Sequence, residues 1–293
     1  QDGEPHSVDL VIVGIDRSAD YSKLRTASLL VERGARLIAT NGDVSYPAPD
    51  GLWPGAGALL AAIVATTGAS PVIVGKPSRP LFEAAQRMTG ARQPLVVGDR
   101  LDTDVAGAAA MRWDSVLVWT GAARTSELVR SSELPIYVGS DVSVLLQGVT
   151  PARPRLANSD DAPGIEQLVS SSGLNPTGTK ERLPTTIVSH DDGRLTATAC
   201  VEDFGPTGLL RSVAVREDLR GQGLGLLVVA AALHGARRRG IDHAVLFTES
   251  AGPFFERLGF ERIERSELPR SIQQSAQAAG ECPASAVAMT LSL

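Results

Sequence analysis

The chain has 293 residues, 43% hydrophobic and 21% charged, enough for about two globular domains with separate cores. A formal net charge of −5 speaks against a nucleic-acid binder, since neutralising phosphates takes concentrated lysine and arginine. The one basic run, Arg237-Arg238-Arg239, falls at the end of a predicted helix, where cations suit the dipole. Cys200 and Cys282 are too few for a disulfide framework and lack metal-ligand spacing, which favours a reducing, cytoplasmic setting.

Residues 1 to 147 alternate between strand and helix patterns. Val8–Ile15, Ala35–Thr40, Val72–Val74, Pro94–Val97, Ser115–Trp119 and Pro135–Gly139 read as strands. Tyr21–Glu32, Gly57–Thr66, Pro80–Met88 and Val105–Met111 read as helices. Such alternation predicts βα units and a mostly parallel sheet buried on both faces. Gly51 to Gly75 carries no charge, but Thr66-Thr67-Gly68 and Pro71 split it into pieces shorter than the ~20 residues a membrane span needs. No signal peptide is visible behind Gln1, and the chain as it stands is expected to lack an original N-terminus.

In parallel sheets ligands gather at the carboxyl ends of strands, and Lys76, Asp99 and Asp104 fall there. Gly75-Lys76-Pro77 and Gly98-Asp99-Arg100-Leu101-Asp102-Thr103-Asp104 resemble the third and fourth motifs of haloacid dehalogenase phosphatases, in the phosphoglycolate and nitrophenyl phosphate class. Val11–Asp16, Thr40-Asn41-Gly42-Asp43 and Pro54-Gly55-Ala56-Gly57 are similar to the same class. The resemblance implies a phosphate-steadying role for Lys76, a magnesium-holding role for Asp99 with Asp104, and a cap contact with substrate at Asp43. The family's nucleophile lies in an Asp-x-Asp-Gly motif ahead of the cap, and nothing of that form precedes Val8. The expectation is a partial Rossmann-like core, with a cap remnant over about 1–50 and the core's second half over about 51–147, that hydrolyses no phosphate ester. Asp99 and Asp104 are equally readable as acids at a helix N-terminus. A sheet edge left open by absent strands predicts self-association into a homo-oligomer.

Gly148 to Asn158, with Pro151 and Pro154, reads as a linker, and residues 159–293 as a second, α+β domain with a mixed sheet. A helix is expected near Ile165–Ser171, and Thr185–Ser189 pairs with Leu195–Val201 across Asp191-Asp192-Gly193-Arg194. Leu209–Val215 is a strand. Arg220-Gly221-Gln222-Gly223-Leu224-Gly225 carries three alternate glycines, and uncharged helix formers follow from Leu226 to Ala232. Glycines admit a close backbone approach, and a helix start offers unpartnered amides and partial positive charge, so this loop can wrap a pyrophosphate. The spacing is not the Gly-x-Gly-x-x-Gly of a dinucleotide fold, and no acid ends a following strand.

The order strand, Arg-x-x-Gly-x-Gly, helix, then the strand Ala244–Thr248 and Phe254-Phe255-Glu256-Arg257-Leu258-Gly259-Phe260, resembles the GNAT acetyltransferase superfamily. That likeness implies acetyl-coenzyme A as cofactor. Val213, Ala214 and Val215 would lie along the pantetheine, the amides of Gly221, Gln222, Gly223, Leu224, Gly225 and Leu226 along the pyrophosphate, and Arg220 and Phe254 beside them. A backbone N–H is the expected oxyanion stabiliser. Glu202, just past a strand, and Glu249, at the end of another, are candidate bases through water, and either reads as well as a solvated strand-end acid. Many members carry a tyrosine acid where this chain has Phe254-Phe255, which leaves protonation of the departing thiolate unassigned, with solvent one candidate. Leu268-Pro269-x-x-Ile272 and Glu281-Cys282-Pro283-Ala284-Ser285-Ala286-Val287-Ala288-Met289 resemble the arsenic-resistance N-acetyltransferase group, implying a small amino-acid-like amine as acceptor. Cys282 is expected to be a small buried hydrophobe. Arg211 and Arg182 suit an acceptor carboxylate, with surface solvation the plainer expectation. The other class of reading is a phosphatase completed by further segments, with the transferase fold as a ligand-binding module.

Overall fold

The computed structural model describes residues 7–146, 153–283 and 285–293. Two compact units divide the chain: residues up to 94 together with 110–113, and residues 95–109 together with 114–293.

In the first unit, β1 (Leu10–Val13), α1 (Tyr21–Glu32), β2 (Arg36–Ala39), the hairpin β3 (Ser45–Ala48) and β4 (Gly51–Pro54), α2 (Ala56–Thr67), β5 (Val72–Ile73) and α3 (Arg79–Thr89) follow in order. β1, β2 and β5 form a parallel sheet. Asp20 caps α1 by accepting the Lys23 N–H at 2.8 Å, which satisfies one orphan donor of the first turn. Val11, Val13, Leu37 and Ala39 pack under Leu30 and Val31 of α1 and Leu60 and Ile63 of α2. The expected division near residue 51 cuts through this core, because α2 closes over β1 and β2. Burial on both faces is not found for β1, where Leu10 and Ile12 are 43% and 65% exposed. The β3–β4 hairpin was not anticipated, although Asp50-Gly51 is a hairpin signal; two prolines obscure the alternation around it.

The second unit opens with a small parallel sheet of β6 (Leu95–Gly98), β7 (Asp114–Val118) and β8 (Tyr137–Gly139). α4 (Ala106–Met111) follows β6, and α5 (Thr125–Leu128) follows β7. The chain continues through β9 (Arg155–Leu156), α6 (Ala162–Ser171), α7 (Thr179–Arg182), β10 (Thr186–Asp191), β11 (Arg194–Phe204), β12 (Thr207–Val215), α8 (Leu224–Arg238), β13 (His243–Thr248), α9 (Gly252–Arg257), β14 (Glu261–Ile263), α10 (Arg270–Gln273) and β15 (Val287–Ser292). Seven strands make one mixed sheet in the order β14-β15-β13-β12-β11-β10-β9, with β12 and β13 its parallel pair. Of the expected linker, Gly148 to Ala152 lie outside the described residues, as does Ala284 of the tail motif. Arg155 and Leu156 are no linker but pair with Val188 and Ile187 as an edge strand.

Leu227, Val228, Val229, Ala230, Leu233 and Ala236 make α8 apolar around most of its circumference, so it needs cover on more than one side. The mixed sheet supplies Ala197, Ala199, Val201, Leu210 and Leu246, and the small sheet supplies Val116, Leu117, Ile136, Tyr137 and Val138 to the same core. Ile165, Leu168 and Val169 of α6 cover the opposite face of the mixed sheet against Val188 and Ala214. No helix among the described residues is long and apolar enough to cross a membrane.

Candidate active site

β12 hydrogen-bonds to β13 only where Thr207, Gly208 and Leu209 face His243, Ala244 and Val245. Both strands run on, to Val215 and Thr248, so they part beyond Leu209 and Val245 and leave main-chain groups without a ladder. On its other side β12 bulges: Thr198 faces Ala214 and Cys200 faces Arg211, so Ser212 and Val213 stand against Ala199 alone. Ser212 takes a φ of 53°, a left-handed conformation that a non-glycine residue adopts at a cost of about 1–3 kcal/mol. Val213 and Val215 side chains lean toward the α8 core, and Ala214 toward α6.

Past β12, Arg216 pairs with Asp218 and Arg220 Nε donates to the Val215 carbonyl at 3.3 Å, folding the turn back on its strand. Gly221 and Gly223 hold φ values of 81° and 84°, which only glycine adopts freely, and α8 starts at Leu224. Among the described residues no main-chain or side-chain acceptor takes the N–H of Gly221, Gln222, Gly223, Leu224, Gly225 or Leu226; the first helical bond runs from Leu227 to the Gly223 carbonyl. A Cβ on Gly225 would touch Val215 at 3.3 Å and Phe254 at 3.7 Å, which places Phe254 beside the loop. The structure thus brings together the residues that the sequence nominates for coenzyme. One neighbour was not foreseen: β8 reaches the loop, with Tyr137 Oη 3.5 Å from Gln222 Oε1 and Val138 against Gly223. Burial, then the charge of Asp191, pushes the Tyr137 phenol above its ordinary pKa and keeps it a neutral donor. No local pattern announces a contact across so many residues.

The two candidate bases have different surroundings. Glu202 accepts from Arg211 Nη1 at 3.0 Å and lies 3.6 Å from Arg182 Nη1, and these arginine side chains are only 5% and 11% exposed. Surface solvation of Arg182 and Arg211 is therefore corrected: both are folded against the sheet and both engage Glu202, leaving that carboxylate committed to ion pairs. Glu249 lies exposed just past β13, on the side where β12 and β13 part, and Ser285 Oγ donates to it at 2.7 Å. Cys200, beside Glu202, is fully buried, and that burial pushes its thiol up, away from the reactive thiolate. Cys282 is half-buried and not the core side chain expected of it.

In the small sheet, Asp104 is 4% exposed and its Oδ2 accepts the N–H groups of Asp99 at 3.2 Å and Arg100 at 3.1 Å. It closes the turn after β6. Asp99 Oδ2 accepts the Ala122 N–H at 2.9 Å. Among the described residues no three acids, histidines or cysteines gather as a metal site, and Asp104 is spent on main-chain donors. The acids among the described residues therefore do not by themselves make the oxygen-rich set that magnesium requires. Lys76, exposed in the turn after β5, belongs to the first unit, while both acids belong to the second.

A cluster absent from the sequence reading ties down the edge of the mixed sheet. Asp161 is 7% exposed; it receives Arg155 Nη1 and Nη2 at 2.7 and 3.0 Å and the Asn158 N–H at 2.8 Å, with His190 Nε2 at 3.1 Å. Its partners are scattered over β9, β10 and the turn before α6, so no short motif marks it.

Comparison with known proteins finds two separate likenesses along the chain. Residues 73–145 match the HAD-hydrolase-like family model, and residues 183–262 match the acetyltransferase (GNAT) domain model. The 5'-nucleotidase YutF of Bacillus subtilis is 38% identical over 133 residues, 45% of this chain and 52% of that protein. The D-glycerol 3-phosphate phosphatase of Mycobacterium tuberculosis is 38% identical over 141 residues, 47% of this chain and 40% of that one. The chain spans about half the length of the curated relatives it matches. A glycerol phosphate phosphatase structure from Mycobacterium tuberculosis, in complex with magnesium, aligns with 85% of this chain and 63% of its own, at 26% identity and a TM-score of 0.59. An α/β chain results that joins a haloacid dehalogenase-like hydrolase segment at residues 73–145 to a GNAT acetyltransferase domain at residues 183–262.

Proposed function

We propose that this chain is an acetyl-coenzyme A-dependent N-acetyltransferase for a small amino-acid-like amine, and that its phosphatase-like segment is inactive as a hydrolase. The observation that carries the reading is the parting of β12 from β13 beside a row of six loop amides without described acceptors. Amides and helix dipole suit a pyrophosphate, and the freed edge of β12 suits the amide-bearing pantetheine arm as an added strand. The thioester supplies an activated acyl carbon. This chain supplies position, a main-chain donor at the Ser212–Val213 bulge for the developing oxyanion, and Glu249 to take the amine proton through water. No side-chain hydroxyl replaces the phenylalanines at 254 and 255, so the departing thiolate takes its proton from solvent. Two cysteines, too few for a disulfide framework, fit a reducing, cytoplasmic compartment.

Calorimetric titration with acetyl-coenzyme A tests the reading. Micromolar binding is expected, followed by thiol release with an amino-acid-like amine in a panel of acceptors; no heat at millimolar coenzyme defeats it. Names of the curated relatives favour a second reading, a small-molecule phosphatase of the glycerol phosphate or nucleotide class. The 293 residues contain no Asp-x-Asp-Gly, and Asp104 is engaged by main-chain amides. Purified chain with magnesium is therefore expected to leave p-nitrophenyl phosphate intact over hours. Turnover that follows the protein through a final gel-filtration step and stops with chelator would establish the second reading instead.

A further inference from the structure

Gly223 is the residue at which the coenzyme loop becomes a helix, and its Cα faces β8 of the small sheet. A Cβ built there would collide with Val138 Cγ2 and stand 3.1 Å from the Val138 carbonyl oxygen. At Gly221, two residues earlier, nothing lies within 4 Å of the same position. Glycine at a phosphate loop serves to leave the main chain bare for a close anion. Here one of the two left-handed glycines is bare and the other is covered by an aliphatic side chain and a carbonyl oxygen. A group that approaches Gly223 from the side of its missing Cβ meets those methyls as volume, and the carbonyl as an unfavourable dipole. Val138 is 1% exposed and sits in the core shared by the small sheet and α8, so it does not leave the loop by a rotamer change alone.

We propose that β8 gates the coenzyme site: Val138 closes the loop at Gly223, and full coenzyme affinity requires β8 to shift from the start of α8. The proposal rests on the transferase reading and adds its regulation. β8 is hydrogen-bonded to β7, and β7 to β6, whose end carries Asp99. A ligand or partner that moves this sheet therefore changes coenzyme affinity, and coenzyme changes the affinity for that ligand by the same factor. The hydrolase-like segment thereby has a use that needs no hydrolysis.

Titration of the full chain with coenzyme A is the test, comparing wild type, Val138→Ala and Val138→Ile. Val138→Ala is expected to bind at least tenfold more tightly and Val138→Ile several-fold more weakly, both with wild-type far-UV circular dichroism. Hydrogen exchange of wild type gives a readout that needs no variant: amides of residues 136–139 are expected to exchange faster with saturating coenzyme A. Equal affinities in the three chains, or a β8 protected by coenzyme, overturn the gate while leaving the transferase reading intact. Absence of coenzyme binding in wild type and Val138→Ala alike removes the transferase reading and the gate together.

Discussion

Replacing Asp161 by asparagine is expected to cost about 2–4 kcal/mol of folding free energy, and roughly 5–10 °C in melting temperature, with no change in the chemistry of the loop. The carboxylate receives a bidentate guanidinium, a main-chain N–H and an imidazole while only 5% of its side chain meets solvent. Arg155 is 46% exposed, so water screens part of its attraction, and the loss is smaller than for a fully buried pair. Asparagine keeps one acceptor but turns a donor toward donors. The same carboxyl has a signature in acid. Arg155 first, then the Asn158 N–H and the positive charges of Arg155 and His190, hold its pKa below the ordinary carboxylate range, against the opposing effect of burial. A group depressed in the folded state stabilises fully above its unfolded pKa, and the contribution disappears as pH falls through the lower folded value. Wild type should therefore lose stability more steeply than Asp161→Asn below about pH 4. Melting temperatures that coincide for the two proteins from neutral pH to pH 3 would show that this cluster contributes nothing.

The second large effect separates the two glutamates. Glu202→Gln leaves two nearly buried guanidiniums facing one another without their shared anion, and a loss of about 3–5 kcal/mol is expected, read as a lower denaturation midpoint. Glu249→Gln touches only an exposed strand end and the Ser285 hydroxyl. Its melting temperature should stay with wild type, while kcat/KM for the amine falls on the order of 10²-fold. A Glu202→Gln protein that melts normally but turns over slowly would exchange the two assignments.

How far the sequence could be read depends on how local each feature is. The helix from Tyr21 to Glu32 was legible to the residue, because its spacing and the Asp20 cap are written side by side. The glycine loop was legible for the same reason. Its demands on backbone angle fall on neighbouring positions, and the structure places Gly221 and Gly223 where only glycine is at ease. Glu202 was nominated as a base from its place near a strand end, yet its partners come from α7 and the next strand, and only the fold reveals that it is already occupied. Arg155 looked like linker because prolines surround it, while its role is set by β10 and Asp161, which no window around it contains. Val138 is the extreme case: a valine in a short strand, unremarkable in sequence, that lies against a glycine 85 positions later.

The helix behind the glycine loop is wrapped on two sides by one uninterrupted apolar interior, and part of that wrapping comes from residues numbered below 147. Splitting the gene at the proline-rich stretch near residue 150, the obvious place for a cloner to cut, would strip Val116, Leu117, Ile136 and Val138 from that helix and bare a greasy wall. A truncated product begun there would be sticky and short-lived whatever its catalytic residues, so an excised version should start no later than Leu95.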